Sequence, residues 1–312
     1  MVADPLPARN LTGAPGPQAP QPVASQARPS EIEEALNARF IHPMARAVSI
    51  ALVPTGVSPN AVSAMGVVMM ALACACYLGL PWPWAAFIGF VFHIGWHVFD
   101  GADGDLARRT GRSSTNGEIV DGICDHLSHL ILYLTLGWLA SSQYGAWGWG
   151  WTIVSAASRA LQAGSYETAR RSYRRWMHGM GWLKQNLGAQ KAAKGGLWGK
   201  LSTGLGGVYL GMSRLVSADD AALEAAMGRA VAAGGARAEA ARHIYGARQR
   251  PLVKAASVLS TNYETIGVFL SLLAGSAIWF LVFQAIFLNL AMAAVVMGER
   301  RNYARIVAEL EA

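Results

Sequence analysis

Residues 100–125 read DGADGDLARRTGRSSTNGEIVDGICD, a spacing of D-x2-D-G-x2-A-R-x8-G-x3-D-x3-D. Four carboxylates, Asp100, Asp103, Asp121 and Asp125, fall where the flanking sequence is apolar enough to cross a membrane. An ionisable side chain at bilayer depth is expensive and marks a functional site by default. Asp100 and Asp103 are three residues apart and Asp121 and Asp125 four apart, so on α-helices each pair shares one face. The short connection between them makes the two helices antiparallel neighbours, which brings all four groups to one depth. Four acids together need counter-charge. Hard oxygen ligands without a partnering thiol favour magnesium, manganese or calcium, and four carboxylates are ample for two ions. Paired ions suit in-line displacement at phosphorus.

Working outward, the chain has 312 residues, 53% hydrophobic and only 14% charged, against roughly 25% charged in an ordinary soluble domain. The expected fold class is an all-α integral membrane protein. Apolar stretches at 60–80, 82–106, 117–140, 145–169, 254–274 and 276–298 predict six transmembrane helices with both termini on one side. The turns near Pro81, Ser141–Tyr144 and Gly275–Ser276 carry no charge, whereas Arg108, Arg109, Arg112, Arg300, Arg301 and Arg305 gather on the other face. The positive-inside rule makes that basic face, with the aspartates and both termini, cytoplasmic. Trp82, Trp84, Trp138, Trp147, Trp149, Trp151 and Trp279 mark the opposite ends as an aromatic belt.

Residues 1–30 hold seven of the thirteen prolines and predict a disordered tail without the apolar region of a secretory signal. Residues 31–56 predict an amphipathic helix on the cytoplasmic surface, with Ile32, Leu36, Phe40, Ile41, Met44, Val48 and Leu52 at helical spacing. Transmembrane helices 1–4 with the motif occupy 57–170, a basic helical insertion 171–253, the last two spans 254–299, and a cytoplasmic tail 300–312. The insertion reads as a solvated or surface-lying helical hairpin, capped near Ser217–Asp220 and interrupted at Gly234 and Gly235. Its excess of Lys and Arg suits anionic lipid headgroups, and no base-reading motif accompanies it, so nucleic acid is not an expected partner. Cys74, Cys76 and Cys124 all fall in predicted spans and read as packing residues rather than disulfides or zinc ligands.

The fixed positions between the aspartates fit phosphate chemistry. Gly101, Gly104, Ala107, Gly117 and Gly122 keep the helix faces small so that a ligand can approach backbone closely, and Arg108 offers a planar positive fork. Residues 100–125 match, at all eight fixed positions, the signature of the CDP-alcohol phosphotransferase family, which the six-helix layout also resembles. The resemblance implies transfer of a substituted phosphate from a CDP-linked donor to an alcohol with release of CMP. It implies that Asp100, Asp103 and Asp121 bind two divalent cations, Mg2+ or Mn2+, with Asp121 shared. Asp125 is implied as the base that activates the acceptor hydroxyl while also joining the metal site. Gly104, Ala107 and Arg108 are implied to line the CDP pocket, and Gly117 is expected beside them. A homodimer is expected from the resemblance alone.

Arg159, Asn262 and Glu264 are the expected acceptor-binding residues, close to the depth of the aspartates; Arg159 fits either an anionic ligand or an ion pair with Glu264 or Glu167. His93 and His97 share a face with Asp100, but buried hydrogen bonding explains them better than a transition-metal site. The expected activity is transfer of a phosphatidyl group from CDP-diacylglycerol to a polar alcohol in phospholipid synthesis. Two alternatives stand beside it. A CDP-headgroup donor with a lipid alcohol acceptor would use the same residues, and a cation transporter would instead spread its acids along a path through the bilayer.

Overall fold

The protein is described by a computed structural model over residues 30–179 and 220–312, and these residues are helical, with no strand among them. Residues 1–29 of the expected tail and 180–219 of the expected insertion lie outside the described residues. The chain enters through a 3-10 turn at Ser30–Ile32 and a π-helical turn at Asn37–Ile41, then continues into helix α1, His42–Leu52. Residues 35–52 run as one helix through the π-helical turn, Pro43 follows that turn, and Pro54 falls in the 3-10 turn Val53–Thr55 that ends the segment. The helical stretch expected over 31–56 thus forms from residue 35, and the strap of residues 30–41 is a 3-10 turn, a short break and the first turns of that helix.

Helix α2, Pro59–Gly79, is capped by Ser58, whose hydroxyl accepts from the Ala61 N–H, and opens with Pro59. Helix α3, Trp84–Thr110, stops at Gly111, whose φ of 66° is the left-handed turn that closes a helix C-terminus. Helix α4, Thr115–Tyr144, begins four residues later under a Ser114 cap that accepts from Gly117 N–H at 3.0 Å. Helix α5, Ala146–His178, folds back after Gly145, and Gly148 lets its backbone lie against Ala140: a Cβ there would stand 2.4 Å from the Ala140 carbonyl carbon. Beyond the undescribed segment come α6, Ala221–Ala233, α7, Gly235–Ala255, and α8, Thr261–Leu273. The chain ends in one rod in which α9, Ile278–Phe283, passes through a π-helical turn, Gln284–Leu288, into α10, Asn289–Glu311.

Among the described residues, four helices are long and apolar enough to cross a membrane: α2, α3, α4 and the α9–α10 rod. Six such helices were expected. Helix α5 is 33 residues long but buries Thr152, Ser155, Ser158, Arg159, Gln162 and Ser165 along its inner side, which lowers its hydropathy while keeping those groups inside the bundle. Helix α8 has 13 residues, a rise of roughly 20 Å against a hydrocarbon core of about 30 Å.

Among the described residues, the two largest of four apolar clusters organise these helices. Met70, Tyr77, Trp96, Leu132, Leu136, Phe280 and Leu281 join α2, α3, α4 and α9. Tyr173, Trp176, Leu223, Met227, Tyr245, Tyr303 and Ile306 join the end of α5 to α6, α7 and the end of α10, and Ile32 of the strap plugs into this second core. The part of the insertion that is described thus packs as a cap around its own apolar centre. Asp220 caps α6, and the break between α6 and α7 falls at Gly234 and Gly235, both at positive φ.

Candidate active site

Asp100 and Asp103 occupy the last third of α3, and Asp121 and Asp125 the first turns of α4. The four-residue connection Gly111–Ser114 joins the two helix ends, and α3 and α4 both pack against α2 rather than along each other, with their acids directed into the space between them. All four aspartates line one cavity of about 940 Å³. Asp100 lies within hydrogen-bonding reach of Asp125, and Asp103 of Asp121. Ser63 of α2 donates its hydroxyl to Asp103, whose other oxygen accepts the Gly104 N–H. Among the described residues, no salt bridge joins any of the four to a basic side chain. Helix α1 is fixed behind them: Ser49 donates to Asp105, and Ala45 lies 3.1 Å from where a Cβ on Gly101 would be.

A second, smaller cavity of about 150 Å³ shares Asp103, Gly104, Arg108, Glu118 and Asp121 with the first. The structure brings Gly104, Ala107, Arg108 and Gly117 together in its wall, beside Pro59, Asn60 and Ser63 from the start of α2. Those α2 residues escaped the sequence reading because a Pro-Asn-x-x-Ser helix start signals a cap and nothing about what it faces. The two cavities meet at the aspartates.

The opposite wall of the larger cavity comes from α5, the start of α8 and the strap. Arg159 lies there, its Nε 2.6 Å from Glu264 Oε2 and its Nη1 donating to the Leu259 carbonyl at 2.9 Å. Glu264 also accepts the Tyr133 hydroxyl at 3.0 Å and is 2% exposed, so the pair is buried and mutually compensated. Arg159 thus forms the ion pair with Glu264 while also lining the cavity. Asn262 donates to Glu34 at 2.6 Å and to Asn37 at 2.9 Å. Glu167 gathers Arg171, Arg174 and Arg170 at 2.7, 3.2 and 3.4 Å. His93 and His97 both face the Thr265 hydroxyl, at 3.1 and 2.7 Å, as buried hydrogen-bonding groups. Glu33, Glu34 and Asn37 line the cavity and were not anticipated, since a strap over a site has no periodic signature.

Among the described residues, no three His, Cys, Asp or Glu groups already stand as a metal site. The donor set still fits divalent cations chemically: eight carboxylate oxygens, two helices, a shared cavity, and no protein cation paired with them.

The family model for CDP-alcohol phosphatidyltransferases matches residues 56–234, more than half of the chain, and the chain belongs to that family. Comparisons with curated proteins and with solved structures gave no match. Membership makes the protein a membrane transferase that acts between a CDP-alcohol and an acceptor.

Proposed function

We propose that the protein transfers a phosphatidyl group from CDP-diacylglycerol to a polar alcohol, releasing CMP, with Mg2+ or Mn2+ held by Asp100, Asp103, Asp121 and Asp125. The observation that carries this reading is the meeting of two cavities at the aspartates, the smaller walled by Gly104, Ala107, Arg108 and Gly117. In this reading the smaller cavity takes the cytidine diphosphate moiety, with Arg108 as the cation beside its phosphates. The larger cavity admits the acceptor, whose surroundings Arg159, Asn262 and Glu264 shape. The acceptor oxygen forms a bond to the lipid-bearing phosphorus, the bond from that phosphorus to the CMP oxygen breaks, and the hydroxyl proton passes to Asp125. Bound cations supply neutralisation of the phosphates and lower the demand on a weak carboxylate base. Positioning and electrostatics supply most of what phosphoryl transfer requires.

The same reading places residues 145–169, at the start of α5, and residues 254–274, which lead into and include α8, across the bilayer as the fourth and fifth of six crossings. The aspartates and both termini then face the cytoplasm, and two copies pair in the membrane. Helix α5 supports this arrangement because its polar groups are buried in the bundle rather than facing outward.

The test is purified protein with radiolabelled CDP-diacylglycerol and a panel of glycerol phosphate, inositol phosphate, inositol, serine and choline, scored for CMP release with magnesium or manganese and after chelation. Release with one acceptor, lost on chelation, is expected. No release from this donor, together with release from a CDP-headgroup and a lipid alcohol, would reverse the polarity of the proposal.

A further inference from the structure

Within the segment from Ser30 to Ile41, Ile32, Glu33, Glu34, Asn37 and Ile41 line the larger cavity. The first five residues of the segment have little regular structure, a three-residue 3-10 turn and a break at Glu33 and Glu34, and from residue 35 it is helical, passing through a π-helical turn into α1. Isolated π-turns are rare and occur mostly at functional sites.

Side chains hold the segment in place. Glu31 accepts from Tyr173 at 2.9 Å, faces His178 at 3.1 Å, and accepts from Arg250 at 3.1 Å. Glu34 accepts from Tyr166 at 2.8 Å, Ser260 at 2.8 Å and Asn262 at 2.6 Å. These donors come from α5, α7 and the entrance to α8, so two carboxylates tie one short segment to three helices. Ile32, 4% exposed, is the apolar peg between them.

None of the strap residues reaches the smaller cavity beside Gly104 and Arg108. The strap therefore lies on the larger cavity alone, facing across it the aspartates and the Gly104 and Arg108 wall that the two cavities share. We infer that residues 30–41 form the acceptor-side gate of the cavity, with Glu31 and Glu34 as positioning residues that latch it to the cap and to α8. The inference rests on the phosphotransfer reading, and it adds the route and the residues by which a water-soluble acceptor is admitted and enclosed. Release of the latches opens the polar mouth between the strap, α5 and α8, while the donor pocket at α2, α3 and α4 stays as it is.

The test uses the full chain in lipid nanodiscs, comparing wild type, the Glu31→Gln/Glu34→Gln double variant, and Arg250→Gln. Hydrogen exchange is read on residues 30–41 and steady-state CMP release on the acceptor panel above. The double variant should exchange at least about tenfold faster across the strap, the effect of losing charge-assisted hydrogen bonds. Arg250→Gln, altered 219 residues away in sequence, should act in the same direction and less strongly. The KM for the acceptor should shift in the double variant while the KM for CDP-diacylglycerol stays within about twofold, because interactions removed from one cavity leave binding in the other intact. Unchanged strap exchange in both variants overturns the inference, as does an equal shift in both KM values. Wild-type protein that releases no CMP from any CDP donor sinks the phosphotransfer reading, and the acceptor gate with it. Strap exchange then reports on the latches alone.

Discussion

The two walls of the reaction cavity are built in opposite ways. The aspartate wall comes from 26 consecutive residues, two helix ends joined by a four-residue turn, and every acid in it is placed by helical spacing. The facing wall gathers Glu33, Glu34 and Asn37 of the strap, Arg159 and Tyr166 of α5, and Ser260 and Asn262 near α8, with Glu34 and its partner Asn262 separated by 228 residues. A locally encoded wall survives damage elsewhere in the chain and is sensitive at its own few atoms. An assembled wall is sensitive to the packing that brings its parts together. The difference separates chemistry from access.

Four experiments bear on that comparison. Asp125→Asn keeps the shape of the local wall and removes its proposed base. Turnover should fall by about 10²- to 10⁴-fold with CDP binding retained, and equal loss of both would make Asp125 chiefly a ligand position. On the assembled wall, Arg159→Ala leaves Glu264 buried without its cation, so stability should drop by about 3–5 kcal/mol. The paired change Arg159→Met/Glu264→Leu should cost less, as read by thermal unfolding in detergent. If the single and paired variants unfold alike, the ion pair does not hold α5 to α8.

Within the cap, Met227 is fully buried, and Met227→Ala should cost about 2–5 kcal/mol. Because the cap holds the strap through Arg250 and Ile32, that variant should disturb acceptor KM before donor KM. The smallest expected effect is on pH. Burial alone would raise the Glu31 carboxyl, but hydrogen bonds from Tyr173 and His178 and the charge of Arg250 outweigh it and hold its pKa below the ordinary 4.5. A carboxyl depressed in the folded state stabilises above its ordinary pKa and loses that contribution as pH falls through the native value. The part of strap protection that Glu31 supplies should therefore weaken in acid. Because His178 faces Glu31 and His42 faces Glu33, it is read as the difference between wild type and Glu31→Gln, and a difference that grows as pH falls below the native carboxyl range would contradict the latch.

Much of the membrane-spanning pattern was legible because long apolar runs report themselves. Helices α2, α3 and α4 begin and end within a few residues of expectation, with Ser58, Ser114 and Gly111 as punctuation. Helix α5 was also expected as a span, and its polar residues, which face the bundle interior, are what keep it less apolar than α2, α3 and α4. Helix α8 shows where that reading falls short, since the apolar run at 254–274 conceals a 3-10 turn at Ala256–Leu259 and a fresh helix start after Ser260.

The amino-acid order by itself determined the aspartate face, since spacing of three and four on a 3.6-residue helix leaves no other arrangement, and it determined that the chain must bury apolar helices. Only the tertiary structure decided that Arg159 answers Glu264, that the insertion closes a second core with the end of α10, and that the strap is tied at the cavity. Those outcomes depend on contacts between residues far apart in the chain, whose partners are chosen by packing and by the cost of leaving a buried charge unmatched.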